Sequence, residues 1–217
     1  MVPKRVHFCW YGRRPLPALY QRCVDSWSQK LADYEIVRWD ESNTPIDTPF
    51  LKSAFAKKQW AFLSDYVRLR VVREQGGIYL DADVEAVRDF SPLLDCSLFI
   101  GEELPGRVTT GVFGATKGHE LLTACMDIID LRYSERRPYL IAPEVAMQAL
   151  AQYRGSDVRV LPSRYFYPYN PYDKLALTKE LMYQDITAET YAVHHWGKSW
   201  RQGVLPRVFK KLEKMLS

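Results

Sequence analysis

Long apolar runs are missing from this 217-residue sequence. No stretch reaches the ~18 uncharged apolar residues of a membrane-spanning helix, which argues against a helical integral membrane protein. Only a few apolar residues precede Arg13 and Arg14, too few for the hydrophobic region of a secretory signal. Low-complexity segments, internal repeats and linker-like stretches are also lacking. The sequence therefore predicts one folded domain in the cytoplasm.

Cysteine is scarce, and its four positions contain no CxxC pair and no metal-ligand spacing. Each cysteine stands among apolar neighbours, which predicts reduced thiols in the protein core and is typical of a cytoplasmic protein. The four are Cys9, Cys23, Cys96 and Cys125.

Basic and acidic side chains balance over most of the chain, so an excess of either sign is lacking there. The first 200 residues hold 25 basic and 25 acidic side chains, so the net charge of +4 lies in residues 201–217. This balance argues against a nucleic-acid partner. In residues 201–217 apolar side chains recur at helical spacing, with basic ones largely away from them, which predicts a basic amphipathic helix. Two interpretations stay open for it: packing on the domain, or peripheral contact with the anionic inner membrane face.

Apolar residues make up 47% of the sequence and aromatic residues 13%, enough for a sizeable core. Short apolar runs predict strands at residues 6–11, 34–39, 78–80, 98–101, 112–115, 158–161 and 190–196. Apolar residues at helical spacing predict helices at 16–31, 59–75, 120–131, 143–153 and 204–216, with loops at 40–50 and 165–173. The opening strand–helix–strand order predicts an α/β fold.

The sharpest functional pattern is Gly-Gly-Ile-Tyr-Leu-Asp-Ala-Asp at residues 76–83. Asp81 and Asp83 follow a short apolar strand, and in extended chain both carboxylates point the same way. Ligands of open α/β sheets collect at strand ends. Paired carboxylates there suit Mg²⁺ or Mn²⁺, which bridges to a substrate diphosphate. The alternative is a polar turn with two solvated aspartates.

The helix predicted before this segment carries a second polar element. Asp65 and Arg68 stand at i and i+3 and share one helix face, whereas Leu63, Val67 and Val71 form an apolar stripe on another. An isolated pair of this kind is usually a surface ion pair of little energetic consequence.

Residues 61–68 and 76–83 together resemble the sugar-binding region of the DXD-motif glycosyltransferases of family 32. That family includes yeast-type α-mannosyltransferases, capsular polysaccharide transferases and, more distantly, the clostridial glucosylating toxins. Residues 2–12 resemble its "IPK-I-H-x-x-W-x-G" start, and residues 194–200 its "H-x-x-x-x-S-W" close. The resemblance implies a GT-A fold over residues 1–200, with a Rossmann-like mixed sheet flanked by helices in a single domain.

The resemblance also implies the metal ligands. Asp83 would bind Mn²⁺ or Mg²⁺ directly, and Asp81 would contact the donor ribose and sugar, or the metal through water. A histidine of the closing motif would join them. Alignment favours His194, while His195 has the alternate facing on a strand, so we expect only one of the two to point inward.

The remaining implied roles concern the nucleotide-sugar donor. Asp65 and Arg68 would hold hydroxyl groups of the donor sugar. Trp10 would lie against the base, although a core tryptophan in the first strand is nearly as good an interpretation. The departing phosphates would meet Lys198, Ser199 and Trp200.

The function that the resemblance implies is metal-dependent, retaining transfer of a sugar from a nucleotide donor to a hydroxyl of a glycan or lipid-linked saccharide, as in capsular polysaccharide biosynthesis. A UDP-sugar is the first donor to expect and GDP-mannose the second. Two other classes stay open. One is a metal-dependent nucleotidyltransferase or phosphohydrolase using Asp81 and Asp83, although the sequence contains no Walker-type loop. The other is a non-catalytic carbohydrate-binding protein of the same fold.

Overall fold

Eight strands and five helices form residues 1–197, the part of the chain that the computed structural model describes. The strands are β1 (Arg5–Cys9), β2 (Glu35–Trp39), β3 (Gly77–Leu80), β4 (Val84–Ala86), β5 (Leu98–Leu104), β6 (Arg107–Ala115), β7 (Val158–Leu161) and β8 (Ala192–His194). The helices are α1 (Ala18–Lys30), α2 (Pro49–Ala56), α3 (Trp60–Gln75), α4 (Glu120–Ser134) and α5 (Ala142–Gln152). The predicted C-terminal helix at 201–217 lies outside the described residues.

The main sheet is mixed and has six strands in the order β2-β1-β3-β6-β5-β7. Strands β2, β1 and β3 run parallel, β6 runs antiparallel to both β3 and β5, and β7 is parallel to β5. Strands β4 and β8 form a separate antiparallel pair. The predicted α/β architecture with a mixed sheet flanked by helices is thus confirmed.

Two apolar cores cover the two faces of the sheet, because neighbouring residues of a strand point in opposite directions. Ile78 and Leu80 of β3 pack into the core that contains Trp27 of α1, whereas Tyr79 packs into the core of α3, α4 and α5. The indole N–H of Trp27 also donates a hydrogen bond of 2.8 Å to the Val84 carbonyl. Helix α1 therefore fixes the start of β4 directly after the Asp81–Asp83 segment.

Two elements have no strong signal in the sequence. Helix α2 begins inside the predicted 40–50 loop, where Thr48 caps the backbone N–H of Leu51 at 3.1 Å. Pro49 occupies the first helical position, where its missing N–H costs nothing, so the proline starts a helix and does not prolong a loop. Strand β4 is three residues long and forms only because β8 supplies its partner from the far end of the described chain.

The cysteines and the apolar stripe of α3 lie largely where the sequence predicts them. All four cysteines are free, three are buried, and Cys96 is half-buried. Leu63, Val67 and Val71 are all buried, as the helical spacing predicts. Among residues 1–197, no helix combines the length and the apolar character needed to cross a membrane.

Gly77 begins β3 at a point where no side chain fits. Its φ is +114°, and an added Cβ atom would lie 2.6 Å from the Arg5 carbonyl oxygen. We expect Gly77→Ala to lower the free energy of unfolding by about 1–3 kcal/mol more than Gly106→Ala, since only the first adds overpacking. Gly106 is the matched control, because its φ is +75° and its added Cβ would meet nothing within 4 Å. Urea unfolding measures both variants, and equal losses would contradict the steric argument.

His7 ties the first two strands to the Gly76–Gly77 turn. Its Nδ1 accepts a hydrogen bond of 3.1 Å from the Trp39 indole N–H, which leaves the ring proton on Nε2. That proton is donated to the Gly76 carbonyl oxygen at 2.9 Å. Burial is the main cause that lowers the pKa of His7 to about 4. The ring therefore holds the turn as a neutral imidazole.

A pH dependence of stability follows from this histidine. The folded-state pKa lies below the ~6.5 of an unfolded histidine, so unfolding takes up a proton between the two values. The contribution of about 3 kcal/mol is complete above pH ~6.5 and is lost as the pH falls toward ~4. In His7→Gln the amide can make both hydrogen bonds but does not titrate, so its unfolding free energy should fall less over this range. If the unfolding free energies of the wild type and His7→Gln changed with pH in parallel, His7 would not be the cause of this pH dependence.

Candidate active site

The site lies where β3 ends. Asp81 and Asp83 follow Leu80 in a turn that the Val84 N–H closes by donating to the Asp81 carbonyl oxygen at 2.9 Å, so the extended chain predicted for this segment is wrong. Strand β4 begins at Val84, which pairs with His194 of β8. Antiparallel pairing of β4 with β8 therefore sets the histidine of the closing motif beside the two aspartates. The backbone N–H of Asp81 also donates to the Gly111 carbonyl oxygen at 2.9 Å, which joins the segment to β6.

Asp81, Asp83 and His194 form a cluster whose candidate ligand atoms all lie within 4.8 Å of one another. The Nε2 atom of His194 lies 3.8 Å from Asp81 Oδ2 and 3.5 Å from Asp83 Oδ1. The Nδ1 atom of His194 is buried and makes no hydrogen bond to the described residues. Two carboxylates with one imidazole are a donor set that fits a divalent cation.

The side chain of His195 points away from the aspartate cluster. Its Nε2 atom lies 2.7 Å from Glu85 Oε2, and its backbone N–H donates to the Asp83 carbonyl oxygen at 2.9 Å. Its ring is therefore not part of the aspartate cluster. Of the two adjacent histidines, the structure brings only His194 to Asp81 and Asp83.

The backbone after β8 fixes the second aspartate. Asp83 Oδ2 accepts a hydrogen bond of 2.7 Å from the Gly197 N–H, while Asp83 Oδ1 faces His194. A Cβ atom at Gly197 would lie 2.4 Å from the Tyr20 hydroxyl and 3.3 Å from Asp83 Oδ2. The chain therefore passes close to the aspartate because residue 197 is a glycine.

Arg68 is buried between the two acidic elements of the site. Its guanidinium contacts Asp65 Oδ1 at 3.0 Å and Asp81 Oδ1 at 3.1 Å. It also donates to the Thr110 carbonyl oxygen at 3.1 Å and lies 4.7 Å from the centre of the Tyr79 ring. Arg68 thus links α3, the end of β3 and β6. The Asp65–Arg68 ion pair is therefore largely buried, whereas helical spacing alone would suggest an exposed pair.

Protonation in the site is set by competition between burial and charge. At Asp81 burial opposes ionisation, but Arg68 and His194 outweigh it and hold the pKa below its usual value. At Asp65 burial wins over Arg68 and the Tyr139 hydroxyl, and the pKa is raised. At His194 burial opposes the charged form, yet Asp83 and Asp81 raise the pKa. Asp81 is therefore ionised at neutral pH, as a metal ligand must be.

Trp10 lies at the carboxyl end of β1, next to the parallel strand β3. Its ring is half-buried, with its centre 5.1 Å from that of Tyr20, and its indole N–H donates to the Arg14 carbonyl oxygen at 2.8 Å. This places the ring at the same edge of the sheet as the aspartates. Contact with a nucleotide base stays a prediction.

Three further residues, Tyr79, Tyr139 and Gly111, contact or border the two aspartates Asp81 and Asp65. The Tyr79 hydroxyl contacts Asp81 Oδ1 at 3.2 Å, and the Tyr139 hydroxyl donates to Asp65 Oδ2 at 2.9 Å. A Cβ at Gly111 would lie 2.9 Å from Asp81 Oδ2. Only Tyr79 has a usable signal, because it stands two residues before Asp81 and shares its strand face.

Part of the predicted site lies outside the described residues. Lys198, Ser199 and Trp200, which the resemblance places on the donor phosphates, follow Gly197 directly. Their roles stay predictions.

Residues 17–100 match a family model described as the glycosyltransferase sugar-binding region containing the DXD motif. Inositol phosphoceramide mannosyltransferase 3 of Schizosaccharomyces pombe is 29% identical over 145 residues, which cover 64% of this chain and 40% of that protein. The human alpha-1,4-N-acetylglucosaminyltransferase is 25% identical over 175 residues, or 72% of this chain and 50% of the relative. The chain spans half or less of the length of these curated relatives.

Solved structures give the fold. The PaToxG glycosyltransferase superposes with a TM-score of 0.58 at 19% identity, covering 70% of this chain and 69% of that one. The glycosyltransferase GlyE of Streptococcus pneumoniae gives 0.52 at 16% identity over 96% of this chain and 60% of its own. A galactosyltransferase with donor and acceptor sugar analogues gives 0.50 at 16% identity, over 89% and 87%. The predicted GT-A fold and the predicted resemblance to DXD-motif glycosyltransferases are confirmed.

Proposed function

We propose that this chain, which carries the DXD-containing sugar-binding region of the glycosyltransferases at residues 17–100, transfers a sugar from a nucleotide-sugar donor to a hydroxyl group of an acceptor. The observation that carries the proposal is the cluster of Asp81, Asp83 and His194 at the end of β3. Two sequence motifs far apart in the chain supply its members, and β4–β8 pairing joins them. A polar turn with two solvated aspartates would need no such histidine.

The chain's own residues provide a preorganised anionic site. Arg68 and Tyr79 fix Asp81, and the Gly197 N–H fixes Asp83, so the carboxylates are oriented before any ligand arrives. Their charge and the imidazole would hold Mn²⁺ or Mg²⁺, with the imidazole favouring Mn²⁺. Such an ion, when bound, neutralises the diphosphate leaving group of the donor.

The second part of the site supports contact with the donor sugar. Asp65 lies one helical turn before Arg68 and keeps its two carboxylate oxygens directed at Arg68 and Tyr139. In the proposal Asp65 meets sugar hydroxyls, whereas Arg68 acts mainly as a positioning residue, since its contacts are with Asp65, Asp81 and Thr110. Asp65→Asn should therefore change the relative turnover of different donor sugars as well as the rate.

We extend the proposal to retention of the anomeric configuration. The bond from the anomeric carbon to the phosphate oxygen breaks, and the acceptor oxygen bonds to that carbon from the same face. The acceptor proton passes to the released phosphate, so no protein nucleophile is needed. Positively charged groups at the leaving oxygen lower the barrier, because negative charge develops there.

For the donor we propose a UDP-sugar first and GDP-mannose second. One relative is named as a mannosyltransferase and another as an N-acetylglucosaminyltransferase, which puts both sugars on the panel to be tested. A glycan or a lipid-linked saccharide is the proposed acceptor. The cytoplasmic location and the membrane contact of residues 201–217 stay predictions from the sequence.

The test is incubation with Mn²⁺ and a panel of nucleotide sugars, followed by product analysis. We expect UDP or GDP together with free sugar, because water can take the place of the acceptor hydroxyl when no acceptor is present. Release of pyrophosphate would instead support a nucleotidyltransferase. Absence of turnover with every donor, in protein that binds them, would support the non-catalytic carbohydrate-binding alternative.

A further inference from the structure

A second concave feature lies beside the aspartate cluster. A half-open cavity of about 150 Å³ is enclosed by α2, α4 and the first turn of α3, together with the loop that precedes α5. Phe50 and Phe62 form part of its wall, and Tyr139 lies between them, with ring centres 5.9 Å and 3.9 Å away. None of these residues belongs to the cluster of Asp81, Asp83 and His194.

The polar side of the cavity is cationic. Lys57, Arg132 and Arg137 line it, and no aspartate or glutamate of the described chain does. Arg132 donates from Nε and Nη2 to the Pro138 carbonyl oxygen at 3.0 and 2.7 Å, which holds the loop over the cavity. Arg137 pairs through Nε with Glu135 at 2.9 Å on the exposed rim. The wall therefore presents positive charge to whatever enters.

The cavity also adjoins the proposed donor-sugar site. Ile129, Tyr139 and Val145 line both the cavity and a narrow crevice that reaches Asp65 and Thr110. The Tyr139 ring lines the cavity and its hydroxyl donates to Asp65 at 2.9 Å, so this side chain joins the cavity wall to the proposed donor-sugar site. A molecule in the cavity would lie next to the sugar end of a bound donor, on the opposite side of Asp65 from Arg68 and Asp81.

We propose that this cavity binds an anionic substituent, phosphate or carboxylate, on a sugar of the acceptor. The stacked rings of Phe50, Tyr139 and Phe62 give the cavity an apolar wall, and arginine and lysine suit the anion. The volume is below the ~300–1,000 Å³ of pockets that enclose drug-sized ligands, so it holds one such group and not a whole oligosaccharide. Calling this ligand the acceptor rests on the proposed function; binding of an anionic sugar does not.

The experiment measures binding of small probes without donor or metal, in the presence of EDTA. The probes are glucose 6-phosphate, glucuronate and glucose, and saturation-transfer NMR gives their affinities for the full chain. The test variant is Lys57→Gln combined with Arg137→Gln, because both side chains are exposed and neither belongs to the aspartate site. Lys52→Gln is the matched control, since Lys52 lies on α2 but does not line the cavity.

We expect at least one charged probe to bind more tightly than glucose, and the double variant to lose about tenfold in that affinity, equal to ~1.4 kcal/mol. Lys52→Gln should bind like the wild type. Binding of glucose 6-phosphate alone identifies phosphate, and binding of glucuronate alone identifies carboxylate. Unchanged affinity in the double variant, equal binding of glucose, or no binding of any probe would overturn the proposal.

Donor hydrolysis by the same variants keeps this inference separate from the proposed function. Both variants should hydrolyse donor at the wild-type rate, because they leave Asp81, Asp83 and His194 untouched. Probe binding without donor hydrolysis in the wild type would leave the cavity assignment standing and refute the transferase. Hydrolysis without probe binding would do the reverse.

Discussion

Replacing Asp83 with Asn should lower metal-dependent donor turnover by about 10²–10³-fold while leaving the fold intact. That range is typical of removing one preorganised electrostatic group from a transition state. The amide oxygen can still accept the 2.7 Å hydrogen bond from the Gly197 N–H, so the backbone after β8 should keep its position. What disappears is one of the two formal negative charges beside His194.

Glu85→Gln is the matched control for this variant. Glu85 stands two residues further along, carries the same charge and pairs with His195, away from the cluster. Turnover and Mn²⁺ affinity, measured by titration calorimetry, should both fall in Asp83→Asn and stay near wild type in Glu85→Gln. Equal turnover of the two variants at saturating donor and Mn²⁺ would remove the metal site from the mechanism.

The aspartate pair is the part of the site that sequence predicts well, and the reason is local geometry. The two aspartates lie together as their spacing predicts, but they do so through a turn and not in extended chain: β3 ends at Leu80, and the Val84 N–H donates to the Asp81 carbonyl oxygen at 2.9 Å. Alternation along β3 does select Tyr79 as a neighbour of Asp81, and their side-chain oxygens lie 3.2 Å apart. The choice between His194 and His195 also follows from alternation, but its direction needs the β4–β8 register.

The rest of the site depends on contacts between distant segments. Tyr139 follows α4 in a loop, and nothing near it in the sequence indicates that its hydroxyl lies 2.9 Å from Asp65. The spacing of Asp65 and Arg68 is visible, yet spacing cannot tell a surface pair from a buried one. Burial here is decided by how α3 packs against β3 and β6, which places Thr110 and Asp81 around the same guanidinium.

For the fold, periodic segments are predicted more reliably than short ones. The sequence predicts a helix at 59–75, and α3 spans Trp60–Gln75, because a long apolar stripe and the following glycine turn define it. Strands β5 and β6 extend beyond the apolar runs at 98–101 and 112–115. They continue toward each other as a hairpin that includes charged and polar residues. Such extensions are set by pairing and not by hydrophobicity.

Replacing Arg68 with Met should destabilise the protein by about 3–5 kcal/mol, the usual cost of leaving buried charges without their partner. The guanidinium lies 3.0 Å from Asp65 and 3.1 Å from Asp81, and methionine removes its charge but keeps an unbranched apolar side chain. Without Arg68 the pKa of each aspartate should rise in the folded state. The deficit should therefore shrink as the pH falls and both aspartates become protonated.

Arg70→Met is the control for this prediction, because Arg70 lies on the same helix and also contacts two carboxylates, those of Asp47 and Glu74, at 2.6 and 2.9 Å. Those carboxylates are largely exposed, and such pairs contribute only about 0.2–1 kcal/mol each. Urea unfolding at neutral and acidic pH gives both differences. A loss in Arg68→Met no larger than in Arg70→Met, or one that stays constant with pH, would mean that water already screens the Asp65–Arg68–Asp81 cluster and that Arg68 does not hold the site together.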